Sequence, residues 1–216
     1  MKSFLIIGAG RFGKHLAKNL MELGNDVMVV DKSEETIESL NVFLTDSVIG
    51  DCRNEEVLKS LEVSDFDVCF VAIDQDFQSS LEITALLKEQ GAKWVVSCAN
   101  RSRQENLLKK IGADEVIYAE RVIAEKTAVR YSAKNVFDLI KLNDEYSIYE
   151  IAIPENWEGE SILELNVRKK YKVNIIAVKV NDELKPLPGA EYIFNPGDHV
   201  VVIGKNHDVE KLSERT

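Results

Sequence analysis

The chain has 216 residues, of which 45% are hydrophobic and 30% charged, and its formal net charge at pH 7 is −10. This composition is ordinary for a soluble globular protein, and the length admits one large domain or two modest ones. The acidic balance argues against non-specific nucleic-acid binding and against adsorption to anionic lipid, because both depend on clustered Lys and Arg.

Neither a membrane span nor a secretory leader is expected. No apolar run approaches the ~20 residues that a bilayer-crossing helix needs. The apolar N-terminus is followed by glycines rather than by a small-residue cleavage site, which favours a strand over a signal peptide. Cys52, Cys69 and Cys98 are odd in number and lack Cys-x-x-Cys spacing, which argues against disulfides and a zinc site. We therefore predict a cytoplasmic protein.

The first predicted elements form a strand–turn–helix–strand unit. A short apolar run at 4–7 leads into Gly-x-Gly-x-x-Gly at 8–13, and a helical pattern follows. A second apolar run at 27–30 ends at Asp31. The full combination of strand, glycines, helix, second strand and terminal acid is far more specific than the glycines alone, and it predicts an adenine-nucleotide site.

Each residue of this motif has an expected role. Gly8 permits the tight turn, Gly10 lets the backbone approach a pyrophosphate, and Gly13 lets the helix pack on the strand. Asp31 accepts hydrogen bonds from a ribose and disfavours a 2′-phosphate, so NAD(H), ATP, ADP or AMP are expected rather than NADP(H). Lys32, next to it, weakens that exclusion slightly.

Four further strands continue the alternation with helices, and we predict them at 47–50, 67–73, 94–98 and 115–118. Strands that alternate with helices of ten to fifteen residues indicate a parallel sheet with right-handed crossovers. The prediction is an α/β, Rossmann-like, doubly wound parallel sheet of six strands over residues 1–120. Ligands of such sheets bind at the carboxyl ends of the strands.

Several charged residues are predicted near that edge. Asp51 either caps the next helix or faces the adenine, and Asp76 is expected as an N-cap, with Asp74 and Ser79 beside it. Glu120 follows the sixth strand, where a carboxylate beside polyphosphates can bind a divalent cation. Arg11 lies in the phosphate turn, an unfavourable place for a cation beside a helix dipole, which suggests a compensating anion.

The pattern changes after Glu120. Residues 121–142 lack glycine and proline and are predicted as a crossover or hinge helix. Strand-like segments follow at 148–153, 174–180 and 199–203, and all four prolines lie among them. We predict a small α+β module over 143–216, small enough to require docking or pairing with another copy.

Recognisable catalytic chemistry is missing. His15, His199 and His207 have no obvious acid partner, and neither a Tyr-x-x-x-Lys pair nor a Gly-x-Ser-x-Gly elbow occurs. We therefore predict a nucleotide sensor rather than an enzyme.

With these motifs in place, the whole chain resembles the RCK (regulator of K⁺ conductance) family, specifically the Ktr/Trk-type peripheral subunit. The resemblance rests on the opening motif, on Phe77–Thr84 and Lys110–Asp114, and in the second module on Leu165–Arg168, Val173–Val178 and Pro196–Asp198. One departure is that residues 72–76 carry two acids, whose charge would weaken anion binding unless a divalent cation offsets it.

The resemblance implies a cytosolic regulator, peripheral to the inner face of the membrane, that forms dimers and an octameric ring beneath a K⁺-translocating membrane subunit. It implies binding of ATP or ADP, alternatively NAD(H), with Mg²⁺ or Ca²⁺ at Glu120. Nucleotide-site residues predicted by motif and resemblance together are Gly8, Gly10, Arg11, Phe12, Gly13, Asp31, Lys32, Asp51, Cys52, Ala72, Ile73, Asp74, Asp76, Ser79 and Glu120. In some relatives the C-terminal half binds cyclic di-AMP, for which the matching positions are Arg168, Asn174, Ile175, Ile176 and Pro188.

Two other interpretations remain open on the residues. An NAD(H)-dependent oxidoreductase would need a substrate pocket with a proton donor. A redox-sensing transcriptional regulator would need a basic DNA-binding element, which an isoelectric point near 4.9 disfavours.

Overall fold

The structure is a computed structural model, and it describes residues 1–40, 46–132 and 135–214. The chain divides into two compact units, Met1–Arg121 and Val122–Thr216. Among the described residues, no helix is both long and apolar enough to cross a membrane.

The first unit contains, within its described residues, a six-stranded sheet of order β3-β2-β1-β4-β5-β6. Every neighbouring pair is parallel. The predicted six-stranded, doubly wound sheet is therefore confirmed. The strands are β1 (Ser3–Ile7), β2 (Asp26–Asp31), β3 (Asp46–Ile49), β4 (Val68–Val71), β5 (Val95–Cys98) and β6 (Glu115–Ile117).

Helices connect these strands and cover the sheet. Two of the apolar core clusters lie on either side of β1, one around Leu5, Val71 and Leu87 and the other around Ile6, Ala17 and Val29; a smaller one surrounds Leu108. Adjacent residues of β1 thus enter different clusters, as expected for a strand buried on both faces. The helices are α1 (Arg11–Glu22), α2 (Glu34–Glu38), α3 (Glu55–Ser60), α4 (Phe77–Glu89) and α5 (Ser102–Lys110).

The order of the strands locates the ligand crevice. From β1 the chain proceeds outward through β2 and β3 on one side, and it then returns to pair β4 on the other side of β1. The loops after β1 and β4 consequently diverge from each other at the carboxyl edge. Such a switch point is where ligands of open α/β sheets bind.

The second unit contains, in its described part, a five-stranded antiparallel sheet of order β10-β9-β11-β8-β7. Alternate residues of β8 and β11 are buried, so one face of the sheet packs on a core around the fully buried Trp157 and Phe194. The strands are β7 (Val136–Lys141), β8 (Tyr146–Ala152), β9 (Val173–Val180), β10 (Glu183–Pro186) and β11 (His199–Lys205), and the helices are α7 (Ile162–Leu165), α8 (Val167–Lys170) and α9 (Asn206–Ser213).

The prediction of one helix over residues 121–142 is wrong in its second part. Helix α6 spans Ala119–Ser132, and β7 begins at Val136; residues 133 and 134 of the predicted helix lie outside the described residues. The strand forms because Val136 pairs with Ile151 and is buried there. A segment without glycine or proline is compatible with either structure, and the partner strand decides between them.

Candidate functional site

A cavity of about 300 Å³ lies at the switch point of the first unit. Its volume is at the lower end of the range of small-molecule sites. Of the predicted nucleotide residues, those that line it are Gly8, Gly10, Asp31, Lys32, Asp51, Cys52, Ala72, Ile73, Asp74, Asp76 and Ser79. The lining residues that the sequence analysis did not select are Ile7, Val30, Gly50, Arg53, Gln75 and Ile83.

The three glycines of the motif are in different surroundings. Gly8 has a φ of +98°, and a Cβ there would lie 2.9 Å from the carbonyl oxygen of Ala72. A Cβ on Gly13 would lie 2.1 Å from the carbonyl oxygen of Gly8, so helix α1 packs directly against the loop. By contrast, beyond Gly10 and its two chain neighbours, no described residue has an atom within 4 Å of a Cβ on Gly10. A Cβ on Gly10 would therefore point into open space, and Gly10 itself lines the cavity.

Helix α1 begins at this cavity with its N-terminal N–H groups uncapped. Within the described residues, the side chains of Ser33, Asn54 and Asp76 cap α2, α3 and α4, whereas α1 has Gly10 as its N-cap and no side-chain cap. An uncapped helix start offers N–H groups and the positive end of the helix dipole to an anion. Helix α5 likewise has no side-chain cap, so what distinguishes α1 among the described helices of this unit is that its uncapped start lies at the cavity.

Asp31 holds the glycine loop in place from the end of β2. Its Oδ2 accepts a hydrogen bond from the backbone N–H of Ala9 at 2.7 Å, and its Oδ1 accepts one from Ser33 N–H at 2.8 Å. A carboxylate oxygen has further lone pairs, so these bonds leave acceptor capacity for a ribose hydroxyl.

Asp51 and Arg53 form an ion pair at the β3 end of the cavity. Arg53 Nε lies 3.0 Å from Oδ1 and 3.1 Å from Oδ2 of Asp51, and Nη2 also donates to Oδ2. Hydrogen bonding from Arg53 lowers the pKa of Asp51 to about 2, so the pair is charged at neutral pH. The alternative role of Asp51 as a helix cap is wrong, because Asn54 caps α3.

Asp76 is an N-cap, as predicted. Its Oδ1 accepts from Ser79 N–H at 3.1 Å and its Oδ2 accepts from Ser79 Oγ at 2.6 Å. These hydrogen bonds lower the pKa of Asp76. The carboxylate therefore compensates the N-terminus of α4 and remains charged beside the cavity.

The floor of the cavity is apolar. Cys52 is 2% exposed, and burial raises the pKa of its thiol to about 12. Ile7, Val30 and Ile83 line the same region. A protonated thiol among aliphatic side chains behaves as a small apolar residue, so this part of the cavity lining is uncharged.

Four predicted site residues are not among the described residues that line the cavity, namely Arg11, Phe12, Gly13 and Glu120. Phe12 packs against the apolar cluster beneath α1, and Gly13 contacts the loop backbone. Arg11 is exposed at the first residue of α1. Glu120 lies in the first turn of α6, after β6, at the sheet edge remote from β1. Among the described residues, no group of three or more His, Cys, Asp or Glu side chains is arranged to hold a metal ion.

A second cavity, of about 420 Å³, lies within the second unit. Arg168, Asn174, Ile175 and Pro188 line it; of the five positions matched to cyclic di-AMP, Ile176 is the one that the described lining does not include. The other lining residues are Ile162, Leu163, Asn166, Val167, Val173 and Ala190.

The expectation that no histidine has an acid partner is wrong for two of the three. His199 Nδ1 lies 3.0 Å from Glu150 Oε1, and His207 Nε2 lies 3.0 Å from Asp208 Oδ1. The first pair forms because β11 and β8 are neighbours in the sheet. Neither histidine lines a cavity described above.

Comparison with known proteins gives matches along nearly the whole chain. Residues 4–119 match the model of the TrkA-N domain, and residues 148–216 match that of the TrkA-C domain. The Ktr system potassium uptake protein C of Bacillus subtilis (strain 168) is 36% identical over 99% of this chain and 97% of its own length. The Ktr system potassium uptake protein A of the same organism is 35% identical over 98% of this chain and 95% of its own length.

Among solved structures, the GsuK channel matches 98% of this chain with a TM-score of 0.72 at 17% identity. This chain spans 39% of the length of that one. The GsuK channel bound to NAD gives a TM-score of 0.71 at 18% identity. At these identities, the likeness concerns the fold.

Proposed function

The chain belongs to the RCK family of Ktr/Trk-type potassium-uptake proteins, and we propose that it is a nucleotide-sensing regulatory subunit of a K⁺ uptake system. The proposal combines two supports. The relatives at 35–36% identity are named potassium uptake proteins, and they match this chain over nearly their full length. The cavity at the switch point supplies the nucleotide site.

The observation that carries the nucleotide site is the open, uncapped start of α1 beside Gly10 and Asp31. Phosphates fit at α1, directly after the central strand β1. The ribose fits at Asp31, at the end of the neighbouring strand β2. The base then extends toward the loop after β3, the next strand outward. The loops after β1, β2 and β3 thus provide adjacent subsites for the phosphates, the ribose and the base.

The proposed physiological ligands are ATP and ADP, with NAD(H) as the alternative. Lining carboxylates Asp31, Asp51, Asp74 and Asp76 outnumber the lining cations Lys32 and Arg53. This excess of negative charge opposes a polyphosphate, so we propose that Mg²⁺ or Ca²⁺ accompanies it. Because Glu120 lies after β6, at the sheet edge remote from β1, it is proposed as a ligand of that cation from a neighbouring subunit of the assembly.

Regulation follows from exchange of the ligand. A ligand shifts a conformational equilibrium only by its differential affinity for the two states. Arg11, exposed at the start of α1, is proposed to meet a terminal phosphate that ATP has and AMP lacks. The proposed assembly is a ring of eight subunits, built from dimers, that contacts a membrane K⁺-translocating subunit from the cytoplasmic side. In this role the protein binds nucleotide without turning it over.

The second cavity is a proposed site for cyclic di-AMP. Four of the five matched positions line it, among them the cation Arg168 and the amide side chain of Asn174. A guanidinium is suited to a phosphodiester, and an amide is suited to a base edge.

Calorimetric titration with ATP, ADP, NADH and NADPH, with and without Mg²⁺, tests the site. We expect ATP and ADP to bind, with enhancement by Mg²⁺, and NADPH to give no heat. Tight NADH binding with little ATP affinity would instead support the alternative. The transport role is tested by K⁺ flux into proteoliposomes that hold the membrane subunit. A flux that is the same with ATP, with ADP and without this protein would refute it.

A further inference from the structure

The loop after β3 holds the ion pair of Asp51 and Arg53 at one end of the nucleotide cavity. Strand β3 lies two places from β1, with β2 between them. A nucleotide with its phosphates at α1 and its ribose at Asp31 must extend its base toward this loop. Gly50, Cys52 and Arg53 of the loop all line the cavity.

The guanidinium of Arg53 is held in a defined plane. Its Nε lies within 3.1 Å of both oxygens of Asp51, and Nη2 donates to one of them. The backbone N–H of Arg53 also donates to Asp51 Oδ1 at 3.0 Å. The loop itself is closed by a hydrogen bond from Asn54 N–H to the Asp51 carbonyl at 3.0 Å. Side chain and backbone therefore fix Arg53 before any ligand arrives.

The ion pair leaves surface available to a ligand. The side chains of Arg53 and Asp51 are 45% and 41% exposed, so the pair lies at the cavity rim. An ion pair this exposed adds little to stability. Its contribution to binding is a different matter, because a planar guanidinium stacks on aromatic faces, and a pre-ordered one loses little entropy when it does so.

We propose that Arg53 is a specificity-determining residue of the nucleotide site, and that it stacks its guanidinium plane on the purine ring while Asp51 positions it. The inference rests on the proposed function of the same cavity. Cys52, next to Arg53 in the loop, is 2% exposed and adds no charge to this part of the cavity lining.

Stacking makes a different prediction from simple charge attraction. Asp51 balances the charge of Arg53, so the pair as a whole has little net attraction for phosphates. A lysine would retain the charge and lose the plane. A purine presents a larger face than a pyrimidine, so stacking favours ATP over CTP, which has the same ribose and triphosphate.

The experiment measures the dissociation constants of ATP and CTP for the full-length protein and four variants. For Arg53→Ala we expect ATP affinity to fall by about 2- to 30-fold, the range of cation–π contacts, with a smaller fall for CTP. Arg53→Lys should lose most of the same preference. Asp51→Asn should lose part of it, since Arg53 is then no longer held. Lys32→Ala, which removes the other cation of the cavity, should weaken both nucleotides equally.

The outcomes distinguish failure of this inference from failure of the nucleotide site. An ATP-to-CTP ratio that is unchanged in Arg53→Ala, or fully retained in Arg53→Lys, overturns the inference while the nucleotide site stands. If the wild-type protein binds neither ATP nor ADP, the proposed function and this inference both fail. We expect the melting temperatures of the variants to be close to that of the wild type, because the ion pair is exposed.

Discussion

The carboxylate of Asp31 and the backbone N–H of Ala9 are joined by a hydrogen bond of 2.7 Å. It connects the end of β2 to the glycine loop that follows β1, two segments whose strands are already paired in the sheet. Asp31 therefore has a structural role in the absence of any nucleotide. The residue expected to bind the ribose also fixes the loop expected to bind the phosphates.

Replacement of Asp31 by Ala should affect both stability and binding. Loss of the acceptor for Ala9 and Ser33 should lower the free energy of unfolding by about 1–3 kcal/mol. Nucleotide affinity should fall as well. Urea denaturation and calorimetry measure the two effects. Asp26→Ala, at the exposed opposite end of β2, is the matched control and should change neither quantity. Stability equal to that of the wild type would refute the structural role.

Substitutions at two of the glycines should affect binding and stability separately. Gly10→Val should abolish nucleotide binding and leave the melting temperature nearly unchanged, because beyond Gly10 and its two chain neighbours no described residue has an atom within 4 Å of the added Cβ. Gly13→Ala should instead destabilise the protein by at least about 1–3 kcal/mol, because its Cβ would overlap the Gly8 carbonyl oxygen. Calorimetry and thermal melting of both variants test this contrast. Undiminished ATP affinity in Gly10→Val would exclude the proposed site.

The cysteines should be unreactive in the folded protein. Burial raises the pKa of Cys52, Cys69 and Cys98 to about 12 in each case, and within the described residues all three are free thiols. Roughly one thiol in ten thousand is then ionised at pH 8, and the thiolate is the form that attacks. A chromogenic disulfide reagent should react slowly with the native protein and rapidly with three thiols after denaturation. A fast native reaction of Cys52 or Cys69, the two fully buried thiols, would contradict the described burial, whereas Cys98 is only half-buried.

Stability should depend on pH through Asp76. Hydrogen bonds from Ser79 lower the pKa of Asp76 in the folded state. A lowered pKa stabilises the folded protein above the ordinary pKa of the group, and this contribution is lost as the pH falls through the folded value. The gap in melting temperature between wild type and Asp76→Ala should therefore be largest at neutral pH and narrow in acid. Glu89→Ala, at the opposite end of α4, is the control; a gap independent of pH would refute the prediction.

The sequence was sufficient for the first sheet because its signals are local. The apolar run of β1, the glycines and the terminal acid of β2 lie within one continuous segment, and their geometry follows from chain sterics. Boundaries were less exact: the predicted strand at 67–73 is Val68–Val71 in the structure. The residues at both ends of the predicted strand are compatible with a strand or with a loop. The strand ends where its pairing with β1 ends.

The second unit was harder to predict because its strands are defined by distant partners. Strand β7 has no helix-breaking residue before it, and pairing with β8 alone distinguishes it from an extension of α6. Strand β10 is exposed at all four residues, so it has no buried alternation to detect. His199 and Glu150 are 49 residues apart, and no spacing rule connects them.

Arg53 is the most important cavity residue that the sequence analysis did not predict. An arginine two residues after an aspartate resembles a solvated surface pair, and its exposure supports that interpretation. Its position relative to the cavity depends on how the loop after β3 closes, through the hydrogen bond from Asn54 to Asp51. That closure is a four-residue turn, a local feature that hydrophobic periodicity and composition do not reveal.

The two tryptophans are distributed one to each compact unit. Trp94, 46% exposed, precedes β5 in the first unit, and Trp157 is fully buried in the second. The chain thus contains its own pair of optical reporters, with red-shifted emission expected from Trp94 and blue-shifted emission from Trp157. In Trp94→Phe and Trp157→Phe, the remaining signal follows one unit at a time, so a denaturation series can establish whether the two units melt together or in sequence.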